Sequence, residues 1–315
     1  MNDVLSAMLS TIRLSGSLQF CFMPTGDWQT DATPSMAKLS GKGSGTMPFH
    51  ILAEGTCWLK VEGKKTALEA GDVVMFPFGT GHQLGAGQRG RLITPTRDLP
   101  PKPWQKTPVL RYGNEARVVQ ILCGYLQCEA LSFAPFSQAL PKVIHVKTQT
   151  GGDTGWLGAT VQQMADEVQR PRAGSVSMLS RLTEIAFIEI LRHEIMSAEG
   201  RSDGWLAALA DPAISRCLSL IHDDPRREWS LVALATAANM SRSVLAERFQ
   251  GMLGKSPIRY VRDWRLYLAS VALATTKRSI AAIAYEAGYE TASAFNRAFA
   301  RAFDAPPATW RSALK

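Results

Sequence analysis

The spacing of apolar residues along the chain changes period several times. Val4, Leu5, Met8, Leu9 and Ile12 fall at helical intervals, which predicts a short amphipathic helix over Val4 to Leu14. From Ser17 to about Lys147 the apolar runs shorten to three to five residues, as in His50-Ile51-Leu52, Cys57-Trp58-Leu59-Lys60-Val61 and Val73-Val74-Met75-Phe76. Glycine-bearing turns separate them, which predicts many short strands closed into a barrel or sandwich. Gly85 to Pro108, rich in Gly, Pro, Arg and Thr, predicts a long mobile loop. Val118 to Gln127 and Leu140 to Val146 predict returning strands. After Gly151-Gly152-Asp153 the period becomes helical, with one helix over Trp156 to Gln169 and another over Ser177 to Ala198. The second carries Leu179, Leu182, Ala186 and Ile190 on one stripe and Met178, Ile185 and Ile188 beside it. That stripe is wide enough to pack on the barrel alone or also on a second copy of the chain.

The last third says the same thing twice. Leu231, Leu234 and Ala235 give one short helix its apolar face, and Ile280, Ile283 and Ala284 give another. Asn239 and Gly288 follow them, both residues that tolerate the left-handed backbone of a sharp stop. Ser241, and Thr291 or Glu290, then suit the N-cap of a second helix in each copy. Val244, Leu245 and Phe249, and in the other copy Ala294, Phe295 and Phe299, are predicted to pin that second helix to a core. A duplicated helix, tight turn and helix, over 231–250 and 280–302, fixes the architecture as tandem helix-turn-helix. In that plan the second helix enters the major groove of double-stranded DNA. Its outer face would present Arg242, Ser243, Ala246 and Glu247 in the first copy and Ser293, Asn296 and Arg297 in the second. Asn suits adenine, Arg suits guanine or phosphate, and Glu accepts from cytosine while repelling phosphate. Between the copies, Pro257 to Thr276 reads as one helix that would span roughly 28 Å, near the advance of one duplex turn, about 34 Å.

Charge agrees with this reading. Of a formal +8, most lies from Ala213 onward, where fifteen Lys and Arg face eight Asp and Glu. A basic excess confined to one domain is what phosphate neutralisation requires.

Trp229-Ser230-Leu231, Ser241-Arg242-Ser243, Gly254-Lys255-Ser256-Pro257, Trp264-Arg265-Leu266, Gly288-Tyr289, Phe295-Asn296-Arg297-Ala298-Phe299 and Pro306-Pro307 together resemble the DNA-binding domain of the AraC/XylS family of bacterial transcription regulators. In the N-terminal half, Gly71, Pro77, Gly79 and His82 stand at the spacing of the second cupin motif, and the region resembles the cupin-type sensor domain of one AraC subgroup. That subgroup includes activators that respond to reactive chlorine species, which look like this chain around Cys21, Asp27-Trp28 and Cys123-Gly124. The resemblance implies an α+β multidomain protein: a cupin-like β-barrel with a helical extension, then an all-α tandem helix-turn-helix domain. The expected boundaries are a sensor barrel over 1–150, a dimerisation segment over 151–200, a linker over 201–212 and the DNA-binding domain over 213–315. It also implies a homodimer on promoter DNA that works with RNA polymerase, under a small-molecule or oxidant effector.

In metal-binding cupins the first motif adds two His and a Glu; taking Gly55 as its turn, those positions here are Lys42, Ser44 and Pro48. His82, even with His50 nearby, lacks the three or four convergent ligands of a metal centre, so no metal or other cofactor is expected. His50 and His82 are instead candidate effector contacts. Cys21 and Cys123 lie in early and late strands that a barrel can bring together, which makes them a candidate redox pair. Cys57, Cys128 and Cys217 read as packing. The five His share no pattern with a nucleophile or paired carboxylates, and neither a P-loop nor G-x-S-x-G nor H-E-x-x-H is present, so no catalytic residue is expected. The competing class is a cupin metalloenzyme fused to a DNA-binding domain. The N-terminus lacks a basic start with an apolar run, and no stretch approaches a membrane span; a cytoplasmic protein without membrane contact is expected.

Overall fold

The computed structural model describes residues 4–11, 14–39, 45–114, 118–148, 155–198 and 203–313. Its contacts divide the chain into two compact units that do not follow the sequence order. One holds Leu14–Cys128 and Leu140–Glu194; the other holds the N-terminal helix, residues 129–139 and everything from Ile195 onward.

The first unit is built on two sheets. One runs β11 (Ile144–Val146), β6 (Val73–Met75), β3 (Thr46–Glu54), β10 (Gln120–Cys128), β1 (Leu14–Pro24), β9 (Val109–Tyr112). The other runs β5 (Lys64–Glu69), β4 (Thr56–Val61), β7 (His82–Ala86), β2 (Trp28–Asp31), β8 (Arg91–Leu92). Alternate residues of each sheet point inward, so Phe22, Leu52, Ile121 and Cys123 from one meet Trp28, Leu59, Leu68 and Leu84 from the other in a single core. The stretch expected to be a mobile loop instead contributes β8, a short 3-10 turn at Pro95–Arg97 and two buried residues, Ile93 and Pro95. Its Gly and Pro serve turns between short paired pieces. A short helix, α2 (Thr33–Leu39), follows β2.

Helices α4 (Gly155–Gln169) and α5 (Ser175–Ser197) complete this unit close to the spans expected. They lie against the outward side of the first sheet, where Ser180 donates to the Gly16 carbonyl and Gln169 to the Gln120 amide oxygen. Leu179, Ala186 and Ile190 are buried, whereas Met178 and Ile185 stay about half exposed on the same helix.

The second unit is helical: α1 (Val4–Thr11), α3 (Ala134–Ala139), α6 (Trp205–Ala210), α7 (Pro212–Asp223), α8 (Leu231–Ala237), α9 (Arg242–Leu253), α10 (Pro257–Thr275), α11 (Ile280–Glu286), α12 (Ala292–Phe303) and α13 (Pro307–Ala313). Helix α1 packs on α7 and α3 packs on α6. Phe133 and Phe136 bring aromatic rings into this core. Phe133 stands 5.1 Å from Trp264 and 5.4 Å from Tyr267, and Phe136 stands 5.5 Å from Trp205. The helical fold therefore includes two pieces that precede it by many residues, which is why no boundary at 150 or 212 separates it. Part of the linker expected over 201–212 lies outside the described residues; Trp205–Ala210 of it form α6, and Pro212 begins α7.

Candidate functional site: two helical heads and a barrel cleft

The duplicated motif folds as two near-identical pieces. Helices α8 and α11 are both seven residues, and α9 and α12 are both twelve. Ser230 and Ser279 cap the first helix of each piece, and Ser241 and Thr291 the second. The turns match bond for bond. Asn239 N–H donates to the Thr236 carbonyl and Met240 N–H to Ala235; Gly288 donates to Tyr285 and Tyr289 to Ala284. This is the paired closure of a helix whose next residue is left-handed, and Asn239 and Gly288 sit at φ 53° and 80°.

On α9, Leu245 and Phe249 are fully buried, as Phe295 and Phe299 are on α12. Val244, expected to help pin α9, is 49% exposed: one residue before Leu245, it points about 100° away from the buried stripe. Arg242, Ser243 and Glu247 are exposed and Ala246 is half-buried; Ser293, Asn296 and Arg297 are all exposed. Arg297 Nη1 donates to Ser293 Oγ at 3.2 Å, which sets the guanidinium over the start of its own helix. Arg248 is tied to Asp211, the N-cap of α7.

Helix α10 joins the two pieces over nineteen residues. Tyr260, Trp264 and Tyr267 carry its buried face, while Ile258, an apolar position in the sequence, remains partly exposed. Two hollows between α10 and α12 share Arg262 and Arg301; one adds Arg259 and Asp263, the other Glu228, Arg265 and Arg297. Arg259 and Arg262 are a basic pair that the sequence reading missed. Their signal was i, i+3 spacing on a helix already read as a spacer.

The first unit holds a cleft of about 640 Å³, its open mouth included. His50 and Cys123 line it, together with Phe20, Phe22, Met36 and Leu84. Strand pairing explains the grouping: Cys123 of β10 lies opposite His50 of β3 and Phe20 of β1. His50 Nδ1 is 3.1 Å from Cys123 Sγ, and its Nε2 is 2.8 Å from His82 Nε2. His82 Nδ1 lies 2.8 Å from the Thr80 carbonyl, which can only accept. With both rings neutral, the network runs one way: Cys123 S–H donates to His50, His50 Nε2–H to His82, and His82 Nδ1–H to Thr80. Burial keeps the rings neutral. It holds His50 well below the usual imidazole range, with His82 adding to the effect, and pushes His82 down to about 4. Burial also raises the Cys123 thiol well above its ordinary value, and the Phe76 ring stacks on His82 at 3.8 Å.

A cupin family model matches residues 3–196, and a helix-turn-helix domain model matches residues 234–313. The chain is 30% identical to a putative AraC-like transcription regulator of Streptomyces antibioticus, over 99% of this chain and 97% of that one. It is 28% identical to an uncharacterized HTH-type transcriptional regulator of Haemophilus influenzae, over 99% of each chain. It is 22% identical to the RCS-specific HTH-type transcriptional activator RclR of Escherichia coli, over 99% of this chain and 98% of that one. The chain belongs to the AraC family of transcription regulators.

The regulator joins a cupin-type ligand-binding domain to its DNA-binding domain, and the relatives named above are all transcription regulators. A cupin metal does not fit the residues around the cleft. The two ring nitrogens of His50 point to different partners, so Cys123 and His82 cannot meet at one ion beside it. Of the first-motif positions, Pro48 has no ligating side chain, and Lys42 and Ser44 lie outside the described residues.

The cysteine pairing is corrected by strand register. Phe20 lies opposite Cys123, and Cys21 opposite Leu122. Successive residues face opposite sides of a sheet. Cys123 therefore points into the core between the sheets, while Cys21 shares the other side with Gln120. A bond between them would have to cross the sheet. Cys57, Cys128 and Cys217 are buried in packing. Among the described residues, no helix is long and apolar enough to cross a membrane.

Proposed function

We propose that this regulator reads promoter DNA with α9 and α12 and takes a small-molecule effector in the barrel cleft. The observation that carries the first half is the duplicated helix-turn-helix, in which both second helices turn polar side chains outward from an all-apolar inner stripe. Ser243, Ala246 and Glu247 are proposed for the first half-site, Ser293, Asn296 and Arg297 for the second. Arg242, Arg259, Arg262 and Arg301 supply phosphate contacts. Arg297 makes the sharpest test. Replacing it with alanine is expected to weaken binding of the full-length protein to its cognate duplex by about 1–3 kcal/mol, with little change on random duplex. Equal loss on both in a competition gel-shift would reduce Arg297 to a phosphate contact.

An effector in the cleft would act by shifting a two-state equilibrium in how the heads are presented. The half-exposed Met178 and Ile185 on α5 support a homodimer, and contact with RNA polymerase is proposed on the likeness to transcription regulators. The protein is proposed to act where its DNA is, in the cytoplasm, and to catalyse no reaction. A second reading, oxidation of Cys123 alone, rests on its place in the cleft lining beside His50 and works against the burial that holds its thiol above the ordinary range. Under it, Cys123→Ser abolishes a response to oxidant that Cys21→Ser leaves intact; loss in both variants, or in neither, rejects it.

A further inference from the structure

The cleft has an unusual electrostatic composition. Its walls mix apolar side chains, Phe20, Phe22, Met36, Pro48, Leu84 and Pro95, with the hydroxyls of Thr30, Ser35, Thr94, Thr96 and Tyr125. Its floor is polar but closed. The thiol hydrogen of Cys123 goes to His50, both ring nitrogens of His50 are engaged, and the run ends on a backbone carbonyl. No N–H is left there for a carboxylate or phosphate. Among the described residues, no lysine or arginine lines the cleft, and its one charged side chain is Asp31. Asp31 accepts from the Thr33 backbone at 2.8 Å and from Gln83 at 3.4 Å. Burial would raise its carboxyl, but these bonds outweigh it and hold the group below the usual carboxylate range. At the rim, Lys102 donates to Gln19, a lining residue, and its ammonium lies 4.8 Å above the Trp104 ring.

An anion entering this cleft would lose water and face the Asp31 carboxylate, with no lysine or arginine among the described lining residues to offset it and only side-chain hydroxyls and the Gln19 amide as donors. A cation would gain a carboxylate, and the aromatic side chains of Phe20, Phe22 and Tyr125, which line the same cleft, are the kind of neighbour a cation favours. We propose that the effector is a small apolar cation, such as an arylalkyl amine or quaternary ammonium, with its charged end toward Asp31 and its hydrocarbon against the aromatic wall. This rests on the reading of the cleft as the effector site.

Calorimetric titration of the full-length protein at neutral pH with three ligands of one shape tests it: 4-phenylbutylamine, 4-phenylbutanol and 4-phenylbutyrate. The amine is expected to bind at least about fivefold more tightly than the alcohol, as one partly exposed ion pair with a cation–π contact allows, and the butyrate more weakly than either. Asp31→Asn, which keeps an oxygen for Thr33, should bring the amine to the level of the alcohol. Ser35→Lys, placing an ammonium among the lining residues, should favour the butyrate. If the alcohol binds and the amine binds no tighter, or if the preference survives both substitutions, the charge inference is overturned and the cleft reading stands. If none of the three binds, or if filling the cleft by Ala32→Trp leaves binding unchanged, the cleft reading falls and takes the inference with it.

Discussion

The two helix-turn-helix pieces share caps, turn hydrogen bonds and helix lengths, yet they are held together differently. The second piece is nearly self-contained. Phe295 and Phe299 pack with Ile283, Ala284 and Leu273, and Phe303 and Trp310 close the cluster, all from residues 266–310. The first piece depends on distant chain. Its centre is Trp264, stacked on His222, at 4.0 Å and 9°, and met edge-on by Phe133, at 5.1 Å. Tyr260 binds His222 Nε2 and Trp205 Nε1 through its hydroxyl, each at 2.9 Å. Duplicated surface chemistry therefore sits on cores of unlike origin. One copy is positioned by local packing, the other by residues that leave the barrel and return to it.

The largest expected effect breaks that dependence. Phe133→Ala removes a fully buried ring from the first piece and should cost about 3–5 kcal/mol. Amide exchange followed by mass spectrometry should show α8, α9 and the start of α10 losing protection while α11 and α12 keep theirs. Uniform loss across both pieces would mean that they share one cooperative core. By the same reasoning, residues 201–315 alone, a natural choice for a DNA-binding fragment, should bind duplex poorly through the first head.

Acid sharpens the comparison next. Burial pushes His222 down to about 3 from its ordinary 6.5, so the unfolded chain binds a proton that the folded first piece refuses. Stability from this group is full above about pH 6.5 and declines as pH falls toward 3, by about 2 kcal/mol between pH 7 and 5. The second core has no such group among its clustered residues. Circular dichroism and exchange at pH 5 should find the first piece loosened ahead of the second, and His222→Phe should flatten that difference. His82 adds a fall of the same sign in the barrel.

The smallest effect distinguishes the turns. Gly288 sits at φ 80°, and a Cβ there would come 2.6 Å from Arg265 Nη1. Arg265 is engaged with the Pro225 and Arg227 carbonyls. Gly288→Ala should therefore lower stability by about 1–2 kcal/mol. Asn239→Gly at φ 53° should raise it, by up to about 1 kcal/mol. Thermal melts of the two variants moving in the same direction would contradict the backbone argument.

What the sequence made legible was local. Ser241, Thr291, Asn239 and Gly288 declare their positions because capping and left-handed turns are decided within a few residues. The barrel's strands were readable from glycine spacing. What escaped it was made by distant partners. The His50, His82 and Cys123 network joins residues up to 73 apart, and only strand register brings them together. The same register, offset by one residue, separates Cys21 from Cys123, which the sequence alone could pair. Phe133 gave no signal because its partners, Tyr260, Trp264 and Tyr267, lie more than a hundred residues further on.

Leu14 and Cys128 stand opposite each other where β1 and β10 end. Just beyond them the chain supplies α1 on one side and residues 129–139 on the other, both of which belong to the helical unit. During synthesis those pieces leave the ribosome long before α7 and α10 exist. Until translation has passed Trp205, Asp223 and Tyr267 in turn, Phe136 lacks Trp205, α1 lacks α7, and Phe133 lacks Trp264 and Tyr267. A polypeptide cut short before Tyr267 therefore leaves Phe133 without its aromatic partners, uncovered apolar surface of the kind that promotes aggregation.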